Sequence, residues 1–139
     1  IEGVADLLAQ LDFFGGRTRT ELVGLAATSY PLAFEPGETL YHQGEGAVEC
    51  YLVVEGEAEI TIDGRVVATA GPDNLIGERG LMVDGKRAAI VHAITPLITW
   101  AISKGRLQRL TRDNPAALEV MRQVVAARYP EATPGMMAP

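Results

Sequence analysis

The sequence has 139 residues, of which 47% are hydrophobic and 22% are charged, and its formal net charge is −6. These values fit one soluble globular domain with a hydrophobic core of its own. The acidic balance argues against direct nucleic-acid contact by this segment, because a phosphate backbone is held by clustered Lys and Arg.

The single cysteine, Cys50, cannot form an internal disulfide, which favours a reducing compartment. Its place in an apolar segment favours a small core residue over a reactive thiol. We see no apolar run long enough to span a bilayer and no signal peptide. We therefore expect a cytoplasmic location, or the cytoplasmic face of a larger membrane protein. Because the chain starts at Ile1 rather than Met, we expect a domain excised from, or part of, a larger regulator.

Residues 1–31 predict a helical lead-in. Apolar residues recur at helical spacing at Val4, Leu7, Leu8 and Leu11. Gly15-Gly16 interrupts this pattern, and a second short helix begins near Thr20 and ends before Pro31. The apolar face of this lead-in is expected to pack on the rest of the domain.

Residues 32–102 have the texture of a β domain. Short apolar segments alternate with turn signals such as Pro36-Gly37 and Asp63-Gly64, and the second of these is the strongest hairpin signal in the chain. Many short strands at close spacing indicate a sandwich or a barrel. The predicted fold class is therefore mainly β with flanking helices.

Two helices are predicted over 103–129. Ser103 is a suitable N-cap for the first, and Pro115 is suited to the first turn of the second. The second helix has an apolar stripe made of Leu118, Met121 or Val120, Val124 and Val125. We favour packing of this stripe onto the β domain over a dimer interface. Residues 130–139 are rich in Pro and small residues and are expected to be a disordered tail.

The segment from Leu75 to Val91 reads LIGERGLMVDGKRAAIV. An apolar run ends at Gly77, one helical turn follows from Glu78, and the chain returns through Asp84-Gly85 to Arg87. The N–H groups of a helix N-terminus favour an anion, Glu78 accepts hydrogen bonds and Arg87 is a forked cationic donor. A ligand with both hydroxyl and phosphate groups would satisfy them. In the alternative interpretation, Glu78 and Arg87 are a surface pair beside a hairpin and contribute little.

The stretch from Gly80 to Arg87 nearly matches the phosphate loop of nucleoside triphosphate-binding proteins. Arg87 stands where that loop needs a Ser or Thr for Mg²⁺, and a strand before it and a long helix after it are both lacking, so we reject this interpretation. The sequence also has no H-E-x-x-H, Cys pair or G-x-S-x-G motif, and His42 and His92 lie far apart. We expect binding rather than catalysis, with no metal site and no cofactor.

The same segment resembles the phosphate-binding cassette of the cyclic nucleotide-binding domain family, which includes catabolite activators and regulatory subunits of cAMP-dependent protein kinase. The family pattern is G-E-x-A/G-L, a turn, and R-[A/T/S]-A-x-V. Its positions are filled here by Gly77, Glu78, Gly80, Leu81, Arg87, Ala88, Ala89 and Val91. Residues 35–45 (EPGETLYHQGE) and 51–60 (YLVVEGEAEI) resemble the family's early strands and turns. The resemblance implies a double-stranded β-helix, a jelly-roll-like β-roll of about eight strands.

The resemblance also implies a division of roles in the cassette. Backbone N–H groups near Arg79, Gly80 and Leu81 would face a cyclic phosphate, which Gly80 would allow to approach closely. Arg87 would pair with the negative charge of the phosphate, and Glu78 would accept the ribose 2′-hydroxyl. Arg79 departs from the small apolar residue usual at its position. It is therefore expected either to point outward or to add a second cation.

The base preference follows from the residue after the cassette arginine. Thr there often favours cGMP in the family, so Ala88 resembles the form that prefers cAMP, with cGMP left open. Apolar base contacts are expected from Val67 and Ala70, and Arg128 on the final helix stands near the family's adenine-side lid. The full implied site is Gly77, Glu78, Arg79, Gly80, Leu81, Arg87, Ala88, Ala89, Val67, Ala70 and Arg128.

The resemblance thus implies a single cyclic nucleotide-binding domain over 1–139 that regulates something else. Its ligand would change how the flanking helices pack, which requires that the ligand bind one arrangement better than the other. A homodimer and a fused output domain are both open as partners. The alternative is an interaction module that has the same fold but binds no nucleotide. A third hypothesis, sugar or small-acid chemistry in the roll, lacks the His and carboxylate cluster such metal sites need.

Overall fold

The computed structural model describes residues 2–82 and 85–128, except for the side chains of Glu2 and Arg128. The helices are α1 (Glu2–Ala9), α2 (Arg19–Ala27), α3 (Glu78–Met82), α4 (Lys104–Asp113) and α5 (Pro115–Arg128), with a 3-10 turn at Asp12–Phe14. The strands are β1 (Tyr30–Phe34), β2 (Thr39–Tyr41), β3 (Glu49–Glu55), β4 (Ala58–Ile62), β5 (Arg65–Ala70), β6 (Leu75–Ile76), β7 (Ile90–Ala93) and β8 (Leu97–Ser103). Val83, Asp84 and 129–139 lie outside the described residues, and with them the predicted turn at Asp84 and the expected disordered tail at 130–139.

The strands form two antiparallel sheets, in the orders β1-β8-β3-β6 and β2-β7-β4-β5. Strands that are distant in sequence, such as β3 and β8, are hydrogen-bonded neighbours, because the chain winds from one sheet to the other. This is the jelly-roll arrangement of two packed sheets. The prediction of a mainly β fold with a β-roll and flanking helices is confirmed.

The sheet that contains β3 is covered on both faces. Tyr51 and Val53 point into the roll, where they pack with residues of the second sheet such as Val91. Cys50 and Leu52 point the other way, into a cluster formed with the helices. This double burial explains the unbroken apolar run of β3. Cys50 is a buried core residue as predicted, and burial raises the pKa of its thiol.

The hairpin predicted at Asp63-Gly64 joins β4 to β5. Ile62 and Arg65 pair across it, and the two residues between them have φ angles of +51° and +77°. Positive φ at both central positions defines a type I′ turn, whose twist matches that of the paired strands. The local sequence therefore specified this hairpin correctly.

The start of the roll differs from the expected boundary at residue 32, because β1 begins at Tyr30. Pro31 lies inside β1, where a missing N–H is tolerated because β1 is an edge strand that pairs with β8 alone. The second lead-in helix begins after Thr18, which forms a reciprocal capping box with Glu21. This T-x-x-E signal is present in the sequence and could have placed the helix start.

The C-terminal helices begin where the sequence predicted. Ser103 Oγ caps α4 by accepting the Arg106 N–H at 3.3 Å, and α5 starts at Pro115. Met121 and Val125 of α5 are buried in the cluster that contains the lead-in helices, and α5 contacts α3 and α4. The stripe therefore packs within the chain, on helices more than on the roll. Among the described residues, no helix combines the length and the apolarity that crossing a membrane requires.

Candidate functional site

The first half of the site is the junction between β6 and α3. Strand β6 is held by β3, with Ile76 opposite Tyr51, and α3 begins two residues later at Glu78. Gly77 between them has a φ of +88°, a backbone conformation that side chains rarely adopt. A Cβ at this position would also lie 2.6 Å from Nη1 of Arg87. The turn therefore requires glycine for both conformation and space.

The second half is the return from the turn after α3, which is fixed by backbone hydrogen bonds to the loop after β2. Arg87 N donates to Glu45 O at 2.7 Å, and Gly44 N donates to Arg87 O at 2.8 Å. Ala47 N donates to Gly85 O at 2.7 Å. Arg87 precedes β7, which begins at Ile90. Hydrogen bonds of its own N–H and carbonyl oxygen fix its backbone, independently of the contacts of its side chain.

The guanidinium of Arg87 is buried, with 4% of the residue exposed. Nη1 donates to Gly77 O at 3.2 Å and Nη2 to Glu49 O at 2.6 Å. Its central carbon lies 3.9 Å from the centroid of the Tyr41 ring. Nε is also buried and has no hydrogen-bond partner among the described residues. Buried donors of this kind are normally paired with a hydrogen-bond acceptor.

Glu78 and Arg87 line one cavity of about 150 Å³. Glu78 is 1% exposed, so the interpretation of these two residues as a surface pair is wrong. The cavity brings together Val67, Gly77, Glu78, Arg79, Gly80, Arg87, Ala88 and Ala89 of the sequence-predicted site. It also contains residues that the sequence analysis did not single out, namely Tyr41, Ile60, Ile62, Ala68 and Ile76. The alternation of apolar and polar residues in β4 was the signal that could have indicated Ile60 and Ile62.

Three sequence-predicted residues are not placed in this cavity. Ala70 lines a neighbouring cavity of about 540 Å³, which shares the wall formed by Ile60 and Val67. The side chain of Leu81 turns the other way and packs in the helical cluster, so only its backbone is available to the site. Arg128 is the last residue of α5, and its side chain lies outside the described residues.

A β-bulge explains why β5 contributes Ala68 in addition to Val67. Ile60 pairs with Ala68 and Thr61 pairs with Val66, so Val67 is the extra residue between them. The bulge breaks the strict alternation, and both Val67 and Ala68 line the cavity. Val67 remains 51% exposed, so the cavity is open to solvent beside this edge strand.

Gly80 has a packing role that the sequence analysis did not foresee. A Cβ on Gly80 would lie 2.9 Å from Lys86 O and 3.0 Å from the Cβ of Ala47. Its lack of a side chain therefore lets α3 pack against the returning chain. Arg79, next to it, is half-buried and lines the cavity, so of its two expected positions the inward one is observed.

The charged residues that line the cavity are Glu78, Arg79 and Arg87, whose formal charges sum to one positive charge. Burial raises the pKa of Tyr41 to about 12, and among the smaller effects the positive Arg87 lowers it and the negative Glu78 raises it. The phenol is therefore neutral at physiological pH, and the net charge of the lining remains positive. Within residues 2–82 and 85–128, no cluster of His, Cys, Asp and Glu is arranged to hold a metal ion.

The chain is similar to known proteins in both sequence and fold. The family model described as the cyclic nucleotide-binding domain matches residues 31–114, which contain both sheets almost entirely and the whole cavity. The N-terminal domain of a transcriptional regulator from Streptomyces coelicolor has a solved structure with a TM-score of 0.72. It is 28% identical to this chain, and the match covers 96% of each chain.

Two relatives known from curated sequences are longer than this chain. "Acetyltransferase Pat" of Mycolicibacterium smegmatis is 37% identical over 97 residues, which is 67% of this chain and 29% of that protein. The "CRP-like cAMP-activated global transcriptional regulator" of Mycobacterium tuberculosis is 25% identical over 128 residues, which is 88% of this chain and 57% of that protein. The chain thus spans less than two thirds of the length of either relative.

Proposed function

The chain belongs to the cyclic nucleotide-binding domain family, and from that premise we propose that its Glu78–Arg87 cavity binds a cyclic purine mononucleotide, with cAMP preferred. The domain would act as a regulatory unit of a larger protein. Binding, rather than turnover, is the activity assigned to it.

The observation that carries this proposal is the incompletely satisfied guanidinium of Arg87. Its Nε is buried without an acceptor among the described residues, beside a cavity that also contains the buried carboxylate of Glu78. A buried polar group left without a partner costs about 1–3 kcal/mol. A phosphate oxygen of the ligand would provide the missing acceptor and would neutralise the buried charge. The backbone N–H groups of Arg79, Gly80 and Leu81 are proposed as further donors to the phosphate.

The charge of the cavity supports a monoanionic ligand. One carboxyl and two guanidinium groups line it, with a formal net charge of one positive. A cyclic phosphodiester carries one negative charge and would make the filled cavity neutral. A dianionic ligand would leave an excess negative charge in a partly desolvated site, which is costly.

The remaining parts of the ligand are matched to the other walls. Glu78 is proposed to accept the ribose 2′-hydroxyl, because an ionised carboxylate is a strong acceptor. The apolar wall formed by Ile60, Val67 and Ala68 is proposed to hold the base. Ala88 offers no hydroxyl to a guanine amino group, which supports the preference for cAMP over cGMP.

The proposed regulatory output is movement of the helices. Helix α3 carries Glu78 into the cavity, while Leu81 on its other side packs with the helical cluster, and α3 contacts α5. A ligand that binds one position of α3 more tightly would shift the packing of α5. The relatives named above are an acetyltransferase and a cAMP-activated transcriptional regulator, so a fused output domain is the proposed partner.

Isothermal titration with cAMP, cGMP and 5′-AMP tests the proposal. We expect saturable binding of cAMP, weaker binding of cGMP, and little binding of dianionic 5′-AMP. Arg87→Ala should lower cAMP affinity by about 2–5 kcal/mol, roughly thirtyfold to several thousandfold. Arg65→Ala, which removes an exposed arginine from the β4–β5 hairpin, is the matched control and should bind as the wild type does. Absence of binding by both cyclic nucleotides at millimolar concentration would reject the proposal and favour the interaction-module hypothesis.

A further inference from the structure

The aromatic ring that covers Arg87 belongs to Tyr41, which stands outside the cassette. Tyr41 ends β2 and pairs with Val91 of β7, after a register shift that begins at Thr39. The residue is buried and lines the cavity. The central carbon of the Arg87 guanidinium lies 3.9 Å from the centroid of its ring.

This contact has the geometry of a cation–π interaction. A guanidinium within about 6 Å of a tyrosine ring centroid is attracted by the electron-rich ring face, more strongly where water is excluded. Arg87 is 4% exposed, so water is largely excluded from this contact. The ring also covers one face of the guanidinium.

The position of Tyr41 is itself fixed by a second ring. Tyr51 stacks against Tyr41 at 6.1 Å between centroids with an interplanar angle of 19°. The hydroxyl of Tyr51 donates to Glu49 Oε1 at 2.7 Å, and the hydroxyl of Tyr30 donates to the other carboxylate oxygen. Glu49 thus orients Tyr51 through its side chain and holds Arg87 through its carbonyl oxygen. The guanidinium and the ring that covers it are fixed by the same residue.

We propose that Tyr41 is a positioning residue of this site, whose ring face holds the Arg87 guanidinium in the cavity wall and thereby sets the affinity for the anionic group of the ligand. This inference rests on the proposed function for the identity of the ligand. The orientation of Arg87 by Tyr41 is a property of the free protein and can be tested without a ligand.

The test compares Tyr41→Phe, which keeps the ring face, with Tyr41→Leu, which keeps apolar bulk without one. The first readout is the ¹⁵N–¹H signal of Arg87 Nε, assigned by its loss in Arg87→Lys. A proton near a ring face is shielded, so the signal should move downfield in Tyr41→Leu because the ring is lost. The exchange of this proton with water reports whether the guanidinium leaves the cavity wall. That exchange should accelerate in Tyr41→Leu and stay close to the wild-type rate in Tyr41→Phe. Tyr41→Met serves the same purpose if the leucine variant does not fold.

The second readout is affinity for cAMP and for adenosine, which lacks the phosphate. In Tyr41→Leu the ring no longer holds the guanidinium in the wall, so ligand binding has to restore its position. Up to about 1–2 kcal/mol, the strength of the lost contact, is then taken from binding, which is a roughly five- to thirtyfold loss of cAMP affinity. Adenosine binding should fall much less, and Tyr41→Phe should stay within about twofold of the wild type for both.

The outcomes separate the two proposals. An unchanged exchange rate of the Arg87 Nε proton in Tyr41→Leu, or an equal loss of cAMP and adenosine binding, would overturn the role of Tyr41. Absence of cyclic nucleotide binding by the wild-type protein would overturn the proposed function instead, and the exchange rate of the Nε proton would still decide whether Tyr41 orients Arg87.

Discussion

Arg87 donates from Nη2 to the carbonyl oxygen of Glu49 at 2.6 Å, although the two residues are separated by 38 positions in the sequence. Glu49 begins β3, and Arg87 lies on the return before β7. This bond ties the cassette to the sheet that the helices cover. It places the cationic group of the site at the meeting point of the roll, α3 and the aromatic pair Tyr41 and Tyr51.

The first prediction concerns the shape of the cationic group. Arg87→Lys keeps the charge but cannot donate to Gly77 O and Glu49 O together, nor present a planar face to Tyr41. We expect cAMP affinity to fall by roughly ten- to a hundredfold, or about 1.4–2.7 kcal/mol, as measured by titration calorimetry. Arg65→Lys is the control on the exposed hairpin. Binding by Arg87→Lys within about twofold of the wild type would show that charge alone is sufficient.

The second prediction separates backbone strain from collision at Gly77. Gly77 and Gly37 have φ angles of +88° and +89°, but a Cβ meets nothing within 4 Å at Gly37 and meets Arg87 Nη1 at 2.6 Å at Gly77. Gly37→Ala should cost about 1–2 kcal/mol of unfolding free energy from the left-handed conformation alone, with nucleotide affinity retained. Gly77→Ala should lower the unfolding free energy further than Gly37→Ala does. It should also abolish tight cAMP binding, because Arg87 must move.

Urea denaturation and calorimetric titration of the two glycine variants provide the measurements. If Gly77→Ala lost no more affinity than Gly37→Ala, the position of Arg87 would not matter for binding.

The third prediction concerns the base. Ala88 is half-buried and lines the cavity, so Ala88→Thr would place a hydroxyl and a methyl group there. If the base lies near this position, the hydroxyl can bond to a guanine amino group. The ratio of cGMP to cAMP affinity should then rise by roughly three- to tenfold, the effect of about one hydrogen bond. Competition of the two nucleotides for a fluorescent analogue measures this ratio, with Ala88→Val as the control of equal shape. An equal change in both variants would assign the effect to size rather than to the hydroxyl.

The fourth prediction is a pH dependence that arises outside the cavity. The pKa of Glu21 lies below its ordinary value, chiefly because its carboxylate accepts the backbone N–H of Thr18 at 2.9 Å, and Asn114 contributes a further hydrogen bond. A carboxylate with a lowered folded-state pKa stabilises the fold above its unfolded pKa, and that contribution is lost as the pH falls through the folded pKa. Glu21→Gln should therefore reduce the free energy of unfolding at neutral pH and converge with the wild type in acid.

Urea denaturation at a series of pH values between about 7 and 3 measures this convergence. Glu55→Gln, at the exposed end of β3, removes the same charge and is the control. A difference between Glu21→Gln and the wild type that stayed constant over this range would exclude an electrostatic origin.

The C-terminal helices show which features can be predicted from neighbouring residues in the chain. Ser103 and Pro115 predicted the starts of α4 and α5 correctly, because caps and first-turn prolines act within one turn of the chain. The first strand was placed too late because a proline was expected to exclude it. A proline destabilises a strand only where a neighbouring strand would accept its missing N–H. Because β1 is an edge strand, Pro31 is tolerated there, and edge position is a property of the whole sheet.

The sequence by itself determined the local parts of the site. The cassette residues from Gly77 to Ala89 are close in the chain, and their pattern carried the resemblance that implied a shared site for Glu78 and Arg87, which do line one cavity. The hairpin at Asp63-Gly64 was specified in the same way, by the backbone preferences of two residues.

The tertiary structure decided which distant residues complete the cavity. Tyr41, Ile60 and Ala68 reach it from three different strands, and the bulge at Val67 brings Ala68 to the cavity beside Val67. The same structure turned the side chain of Leu81 toward the helices and brought Tyr41 over Arg87. Such contacts depend on strand register and on the packing of one sheet against another. These are set by the burial of the whole core rather than by any single segment of the chain.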